Sequence, residues 1–104
     1  MTSTMTEVEK EFTVACENTA AECRLLGYDP SEWMRMVKDH GAVEAARRLI
    51  KASEIQDGLK KLLRMGHVEL TVEHAVLDER WRDLFTQDER NAAEWRLKIA
   101  QHEW

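Results

Sequence analysis

The chain has 104 residues, of which 43% are hydrophobic and 34% are charged, with four glycines and one proline. This length suits a single domain, 1–104, and the hydrophobic content is too high for a disordered chain. The scarcity of glycine and proline argues against an all-β fold, and the net charge of −5 argues against a chain that wraps a polyanion as a whole. Because no run of about 18 apolar residues occurs, we expect no membrane-spanning helix.

Segments with helical periodicity follow one another along the chain, and the four glycines lie at their edges. The predicted helices are, in chain order, 7–26, 30–40, 42–52, 58–65, 72 to 77 or 78, and 87–102. The residues suited to capping the first turns are Thr6 with Glu9, Asp29 with Glu32, Thr71, and Thr86 with Glu89. These patterns predict an all-α domain, a compact orthogonal array of five to six short helices.

Three connecting segments complete the predicted architecture. Residues 53–57 form a polar loop. Residues 67–70 alternate polar and apolar side chains, and we interpret them as an extended connector that places Val68 and Leu70 in the core. The aromatic segment 81–85 is predicted to form a single helical turn.

The two cysteines, Cys16 and Cys23, lie seven residues apart on one face of the first predicted helix. This spacing separates their Cα atoms by about 10 Å, which is beyond the reach of a disulfide. We interpret them as buried thiols in a reducing compartment in preference to a redox pair or metal ligands. The first six residues lack the basic and apolar regions of a signal peptide, so we expect a cytoplasmic protein.

Glycines, caps and apolar residues in the middle of the chain form a recurring set of blocks. These blocks are Gly27-Tyr28-Asp29-Pro30, Gly41-Ala42-Val43-Glu44-Ala45-Ala46-Arg47-Arg48-Leu49, Gly58-Leu59, Leu62, Gly66, Leu70-Thr71-Val72-Glu73, Val76-Leu77, Trp81, Leu84-Phe85-Thr86, Glu89, Ala93 and Arg96-Leu97. Together they resemble a widespread, uncharacterised, small all-helical bacterial module, here matched over a core of 27–97. The N-terminal helix 7–26 and the C-terminal end 98–104 lie outside it. The resemblance implies a helical fold and a bacterial defence or mobile-DNA context, and it implies no activity.

Motifs for catalysis and for metal binding are not found in the sequence. The four histidines, His40, His67, His74 and His102, lack zinc-ligand spacing, and no nucleophile elbow, phosphate-binding glycine loop or dinucleotide fingerprint occurs. A helical domain of this length seldom encloses a pocket of several hundred Å3. We therefore expect a protein that is not an enzyme and has no metal, cofactor, small-molecule substrate or membrane partner.

Positive charge is concentrated in the middle of the chain, because 35–67 hold eight basic and four acidic residues while both ends are acidic. The candidate nucleic-acid-binding residues are Arg47, Arg48, Lys51, Lys60, Lys61 and Arg64. In one hypothesis, the third and fourth helices present them to phosphates for weak, salt-sensitive binding. In the other, they pair with the acidic terminal helices. A third hypothesis is an acidic inhibitor that occupies the basic groove of a nuclease or DNA-binding enzyme.

The sequence contains four tryptophans, and a core of this size has room for about two of them. We assign Trp33 and Trp81 to the core. The last predicted helix has two apolar stripes, which are Ala92-Trp95-Ile99 and Ala93-Leu97-Ala100-Trp104. If one stripe packs on the domain, the other is left for a second chain, since tryptophan is enriched at interface hot spots. The alternative is a helix fully covered by the N-terminal one.

The function that these patterns favour is a non-catalytic protein-interaction module. It would act as an accessory subunit, regulator or inhibitor, with a protein partner or a second copy bound to Trp95, Ile99 and Trp104. Nucleic-acid binding through the basic middle segment is the first alternative, and the acidic inhibitor is the second.

Overall fold

The computed structural model describes residues 6–52 and 57–102. Its α-helices are α1 (Glu7–Leu25), α2 (Ser31–His40), α3 (Ala42–Lys51), α4 (Asp57–Arg64), α5 (Val72–Leu77) and α6 (Gln87–His102). Two 3-10 turns lie at Val68–Leu70 and Glu79–Leu84. The all-α prediction is confirmed. Among the described helices, none is long and apolar enough to cross a membrane.

Helix boundaries follow the caps and glycines of the sequence. Thr6 and Glu9 form the predicted capping box, in which each side chain accepts a hydrogen bond from the other residue's backbone N–H. Gly41 has φ +84° between α2 and α3, a left-handed conformation that is costly for residues with a Cβ atom. One residue therefore turns the chain from one helix into the next.

Two local predictions differ from the structure. Helix α2 begins at Ser31 and not at Pro30, with the Asp29 carboxylate accepting a hydrogen bond from the Ser31 backbone N–H at 3.0 Å. The segment 67–70 is not extended but contains a 3-10 turn, because the Leu70 N–H donates back to the His67 carbonyl. Its apolar residues still point inward as expected, with Leu70 buried.

The core is assembled around Phe12 of α1, which is fully buried. Its ring meets Trp81 and Phe85 edge-on, at centroid distances of 5.4 and 5.5 Å. Helix α3 packs against α1, α2, α5 and α6, and its fully buried alanines, Ala45 and Ala46, permit close approach. The core therefore lies between α1, α3 and the segment that leads into α6.

Helix α6 packs against α3, α4 and α5. Two residues of α6, Ala93 and Ala100, are fully buried on its inner side. Ala100 packs in a hydrophobic cluster with Leu59 and Leu63 of α4. Half-buried Leu97 packs against the same cluster. The stripe that begins at Ala93 is thus the internal one.

Candidate functional site

The outer face of α6 carries the largest exposed aromatic side chain of the described residues. Trp95 is 56% exposed, whereas Trp81 is buried and Trp33 is half-buried, as predicted. Ile99 follows Trp95 by four residues on the same side of the helix and is half-buried. Together these observations place the Ala92-Trp95-Ile99 stripe of α6 at the surface. Trp104, the third predicted partner-binding residue, lies outside the described residues.

Charged residues of both signs flank Trp95. Glu94 and Lys98 are both exposed, with Lys98 Nζ 3.9 Å from Glu94 Oε2. Because an α-helix turns about 100° per residue, these two side chains lie on the same flank of Trp95. We use the name α6 face for Glu94, Trp95, Lys98 and Ile99.

The orientation of the α6 face is fixed by a buried ion pair behind it. Arg96, which follows Trp95 directly, is 1% exposed, and its Nε donates to Glu73 Oε2 of α5 at 2.9 Å. Its Nη1 donates to the carbonyl of Ala52 at the end of α3, at 2.8 Å. One guanidinium therefore ties α6 to two other helices, and Trp95 points away from that anchor.

Sequence reasoning missed this ion pair, although a signal was present. Arg96 lies on the same side of α6 as Ala93 and Ala100, beside one of the two apolar stripes that the sequence offered for packing on the domain. A charge in an apolar stripe indicates a buried partner, because an unpaired buried charge is costly. The partner Glu73 carries no comparable signal, since it lies 23 residues earlier among exposed acids.

The basic residues of α3 are engaged with acids of the chain. Glu89, whose side chain is 10% exposed, lies 3.4 Å from Arg47 Nε and 3.7 Å from Lys51 Nζ. Arg47 also donates from Nη2 to the Leu84 carbonyl at 2.8 Å. This arrangement matches the hypothesis of basic residues that pair with an acidic terminal helix.

The remaining candidates for nucleic-acid binding lie elsewhere. Arg48 donates to Glu44, four residues earlier on α3, at 3.1 Å. On α4, the Lys61 ammonium lies 5.8 Å from the centroid of the Tyr28 ring, Lys60 is half-buried and Arg64 is exposed. Helix α4 packs on α6 and on the 68–70 turn, whereas α3 packs on α1, α2, α5 and α6.

The two thiols and His67 belong to different parts of the fold, because Cys16 and Cys23 both lie on α1, whereas His67 precedes the 68–70 turn. Cys16 and Cys23 are free and buried, as predicted, and burial raises the pKa of the Cys16 thiol to about 12. His67 Nδ1 lies 2.9 Å from Glu69 Oε2, and this contact lowers the pKa of the Glu69 carboxyl. In the part of the chain that the structure describes, no group of three or more His, Cys, Asp or Glu residues could hold a metal ion.

A cavity of about 500 Å3 lies between α1, α2, α3, α4 and α5. This volume differs from the expectation that a helical domain of this length seldom encloses a pocket of several hundred Å3.

No protein-family model, no curated protein and no solved structure matches this chain. The resemblance to a bacterial helical module stays a prediction.

Proposed function

We propose that this chain is a non-catalytic protein-interaction module of the bacterial cytoplasm, which assembles through the α6 face and acts as an accessory subunit, regulator or inhibitor. The observation that supports it is Trp95, 56% exposed on a helix whose opposite stripe is buried. Exposed tryptophans of this kind mark interaction sites because they bury a large apolar area with few rotatable bonds. The two buried free thiols suit a reducing compartment.

Rigidity of the α6 face supports the same proposal. Trp95 and Ile99 stand on a helix of 16 residues whose inner side is closed by Ala93 and Ala100. The Arg96 anchor prevents α6 from rotating to bury Trp95 against its own domain. A partner therefore binds a preformed surface and loses little conformational entropy in doing so.

The occupant that we propose is a second copy of this chain. Two α6 helices that pack antiparallel about a two-fold axis near residue 96 place Glu94 of each copy opposite Lys98 of the other. The same arrangement sets Trp95 of each copy beside Ile99 of the other. An isologous dimer requires a face that is complementary to itself, and the charges of Glu94 and Lys98 meet this requirement.

Sedimentation equilibrium over a dilution series tests this proposal. We expect the wild-type chain to dimerise with a Kd of about 10 μM, a weak value that suits a small interface. Trp95→Ala removes the central side chain and is expected to raise the Kd at least about thirtyfold, equivalent to about 2 kcal/mol. Circular dichroism of the variant should match the wild type, because Trp95 is exposed and alanine favours helix.

Leu25→Ala is the matched control. Leu25 is 87% exposed at the end of α1, so the variant also removes an exposed apolar side chain, but outside the α6 face. Its Kd should equal that of the wild type. A wild-type chain that stays monomeric up to about 1 mM, or equal weakening by the two variants, would contradict the proposal.

A further inference from the structure

The cavity between α1 and α5 has the dimensions of a small-molecule site. Its volume of about 500 Å3 lies within the range of roughly 300–1,000 Å3 that ligand pockets occupy. Apolar side chains from all five helices form most of its wall, among them Ala20, Met36, Leu49, Leu62 and Val72. Water finds few hydrogen-bond partners beside such side chains, so an apolar ligand that displaces this water gains free energy.

The charged side chains of the described wall are each engaged by another group of the chain. Three of them form ion pairs, which are Glu73 with Arg96 at 2.9 Å, Glu32 with Arg35 at 3.6 Å, and Arg48 with Glu44 at 3.1 Å. The fourth, Asp29, accepts hydrogen bonds from the backbone N–H and the hydroxyl of Ser31. The wall that these described residues form therefore offers a ligand no uncompensated charge of either sign.

Tyr28 supplies the wall with a polar group that an uncharged ligand can use. Its half-buried side chain lines the cavity, and the Lys61 ammonium already lies over its ring. The Tyr28 hydroxyl lies directly against Gly58, another residue of the wall, and it donates a hydrogen bond to none of the described residues. Burial raises the pKa of Tyr28, so the hydroxyl keeps its proton at neutral pH and can donate it to an acceptor on a ligand.

We propose that this cavity binds a compact uncharged molecule, an apolar body with one carbonyl oxygen that accepts a hydrogen bond from Tyr28. A charged ligand of the same size must give up its hydration, and the wall returns no opposite charge for it. A neutral carbonyl gives up much less, and the Tyr28 hydroxyl replaces the water that it loses. This binding is independent of assembly through the α6 face, because no residue of α6 belongs to the described lining.

Isothermal titration calorimetry with acetophenone, 1-phenylethylamine and benzoate tests the preference for an uncharged ligand. The three probes share a phenyl ring and the same number of non-hydrogen atoms, but at neutral pH they are uncharged, cationic and anionic. We expect acetophenone to bind with a Kd of about 1 mM and each charged probe to bind at least about tenfold more weakly. No binding of acetophenone up to about 10 mM, or equal affinity for a charged probe, would overturn the proposal.

Nuclear Overhauser contacts locate the bound probe in the wild-type chain. The protons of acetophenone should give contacts to the methyl groups of Leu49, Leu62 and Val72, which line the cavity from α3, α4 and α5. Val14 and Leu25 are exposed on α1 outside the described lining and should give none. Contacts to these two residues without contacts to the cavity methyl groups would overturn the assignment.

Leu49→Trp tests the location by filling the cavity. Leu49 is half-buried in the wall, and the larger side chain should abolish the binding of acetophenone. Leu25→Trp is the matched control, because it makes the same exchange at a residue that is 87% exposed outside the lining, and its Kd should be unchanged. A folded Leu49→Trp variant that still binds would overturn the assignment, and if the variant does not fold, the wild-type contacts decide.

Tyr28→Phe tests the hydrogen bond to the ligand, because it removes the hydroxyl and keeps the ring that lies beneath Lys61. We expect the Kd of acetophenone to rise about fivefold, which is the effect of losing one neutral hydrogen bond. An unchanged Kd in this variant would overturn recognition of the carbonyl by Tyr28.

Discussion

Arg96 of α6 and Glu73 of α5 form an ion pair, 2.9 Å from Nε to Oε2, in which each residue is 1% exposed. The same guanidinium holds the carbonyl of Ala52 at the end of α3. A polar contact at the centre of a small helical domain thus sets how three helices meet. It also sets the direction in which Trp95 projects.

Arg96→Met is expected to destabilise the fold by about 3–5 kcal/mol, because Glu73 is left as an uncompensated buried charge. Urea denaturation followed by circular dichroism measures the loss. The double variant Arg96→Met with Glu73→Leu replaces both charges by apolar groups and should recover a large part of that loss. Strictly additive losses would show that the two side chains do not depend on each other.

Glu89→Gln removes the negative charge of this side chain but keeps its capping hydrogen bond at the start of α6. The amide still accepts from the Thr86 N–H, which the carboxylate holds at 2.9 Å, but the attraction to Arg47 and Lys51 is lost. Since both cations are partly exposed, we expect a loss of about 1 kcal/mol that shrinks in high salt.

The capping-box residue Glu9 of α1 provides the control for Glu89. Glu9→Gln keeps a side-chain acceptor for the Thr6 N–H, and we expect it to change the free energy of unfolding by less than about 0.5 kcal/mol. If Glu89→Gln lowers the free energy of unfolding no more than Glu9→Gln does, the charge of Glu89 does not stabilise the fold.

Gly58→Ala is expected to change the stability of the fold differently in two backgrounds. In the wild type, the new Cβ atom displaces the Tyr28 ring, so the gain in helix propensity is lost to the shift of that ring. In a Tyr28→Phe background the hydroxyl is gone, and alanine should stabilise the chain by about 0.5–1 kcal/mol. Thermal melts of the wild type, the two single variants and the double variant measure both effects, and equal effects of Gly58→Ala in the two backgrounds would contradict the contact.

Alkaline pH is expected to destabilise the fold through Cys16. Burial, with a contribution from Glu17, raises the pKa of this thiol from 9.0 to about 12. Between these values the unfolded chain releases a proton that the folded chain keeps, so stability falls as pH rises, by up to about 1.4 kcal/mol per pH unit. Well below pH 9.0 the Cys16 thiol is protonated in both the folded and the unfolded chain, so it does not make the stability depend on pH.

Cys16→Ala removes that titration, so urea midpoints measured from about pH 8 to about pH 10.5 should fall less steeply than in the wild type. The pH dependence of the urea midpoint that remains in this variant includes a contribution from Cys23, whose thiol pKa is also raised by burial. Identical slopes for the two proteins would show that Cys16 does not titrate in this way.

Local features of this fold could be predicted from the sequence, and long-range ones could not. The capping boxes of α1 and α6 depend on residues three apart, so the sequence displays them directly. The helical period separates the Trp95 stripe of α6 from the Ala93 stripe, but the sequence left open which of the two packs on the domain. The pairing of Arg96 with Glu73 and the cavity depend on how separate helices meet, which local patterns do not encode.

Dimerisation through the α6 face is tested most directly by charge reversal and mixing. In an antiparallel pair, Glu94→Lys alone and Lys98→Glu alone each place like charges opposite each other, and each should raise the Kd of self-association about tenfold. An equimolar mixture of the two variants restores both opposite-charge pairs between copies, although neither chain regains its internal Glu94–Lys98 contact. Sedimentation equilibrium should therefore show a mixed dimer as tight as the wild type, and a mixture no tighter than the separate variants would contradict the account.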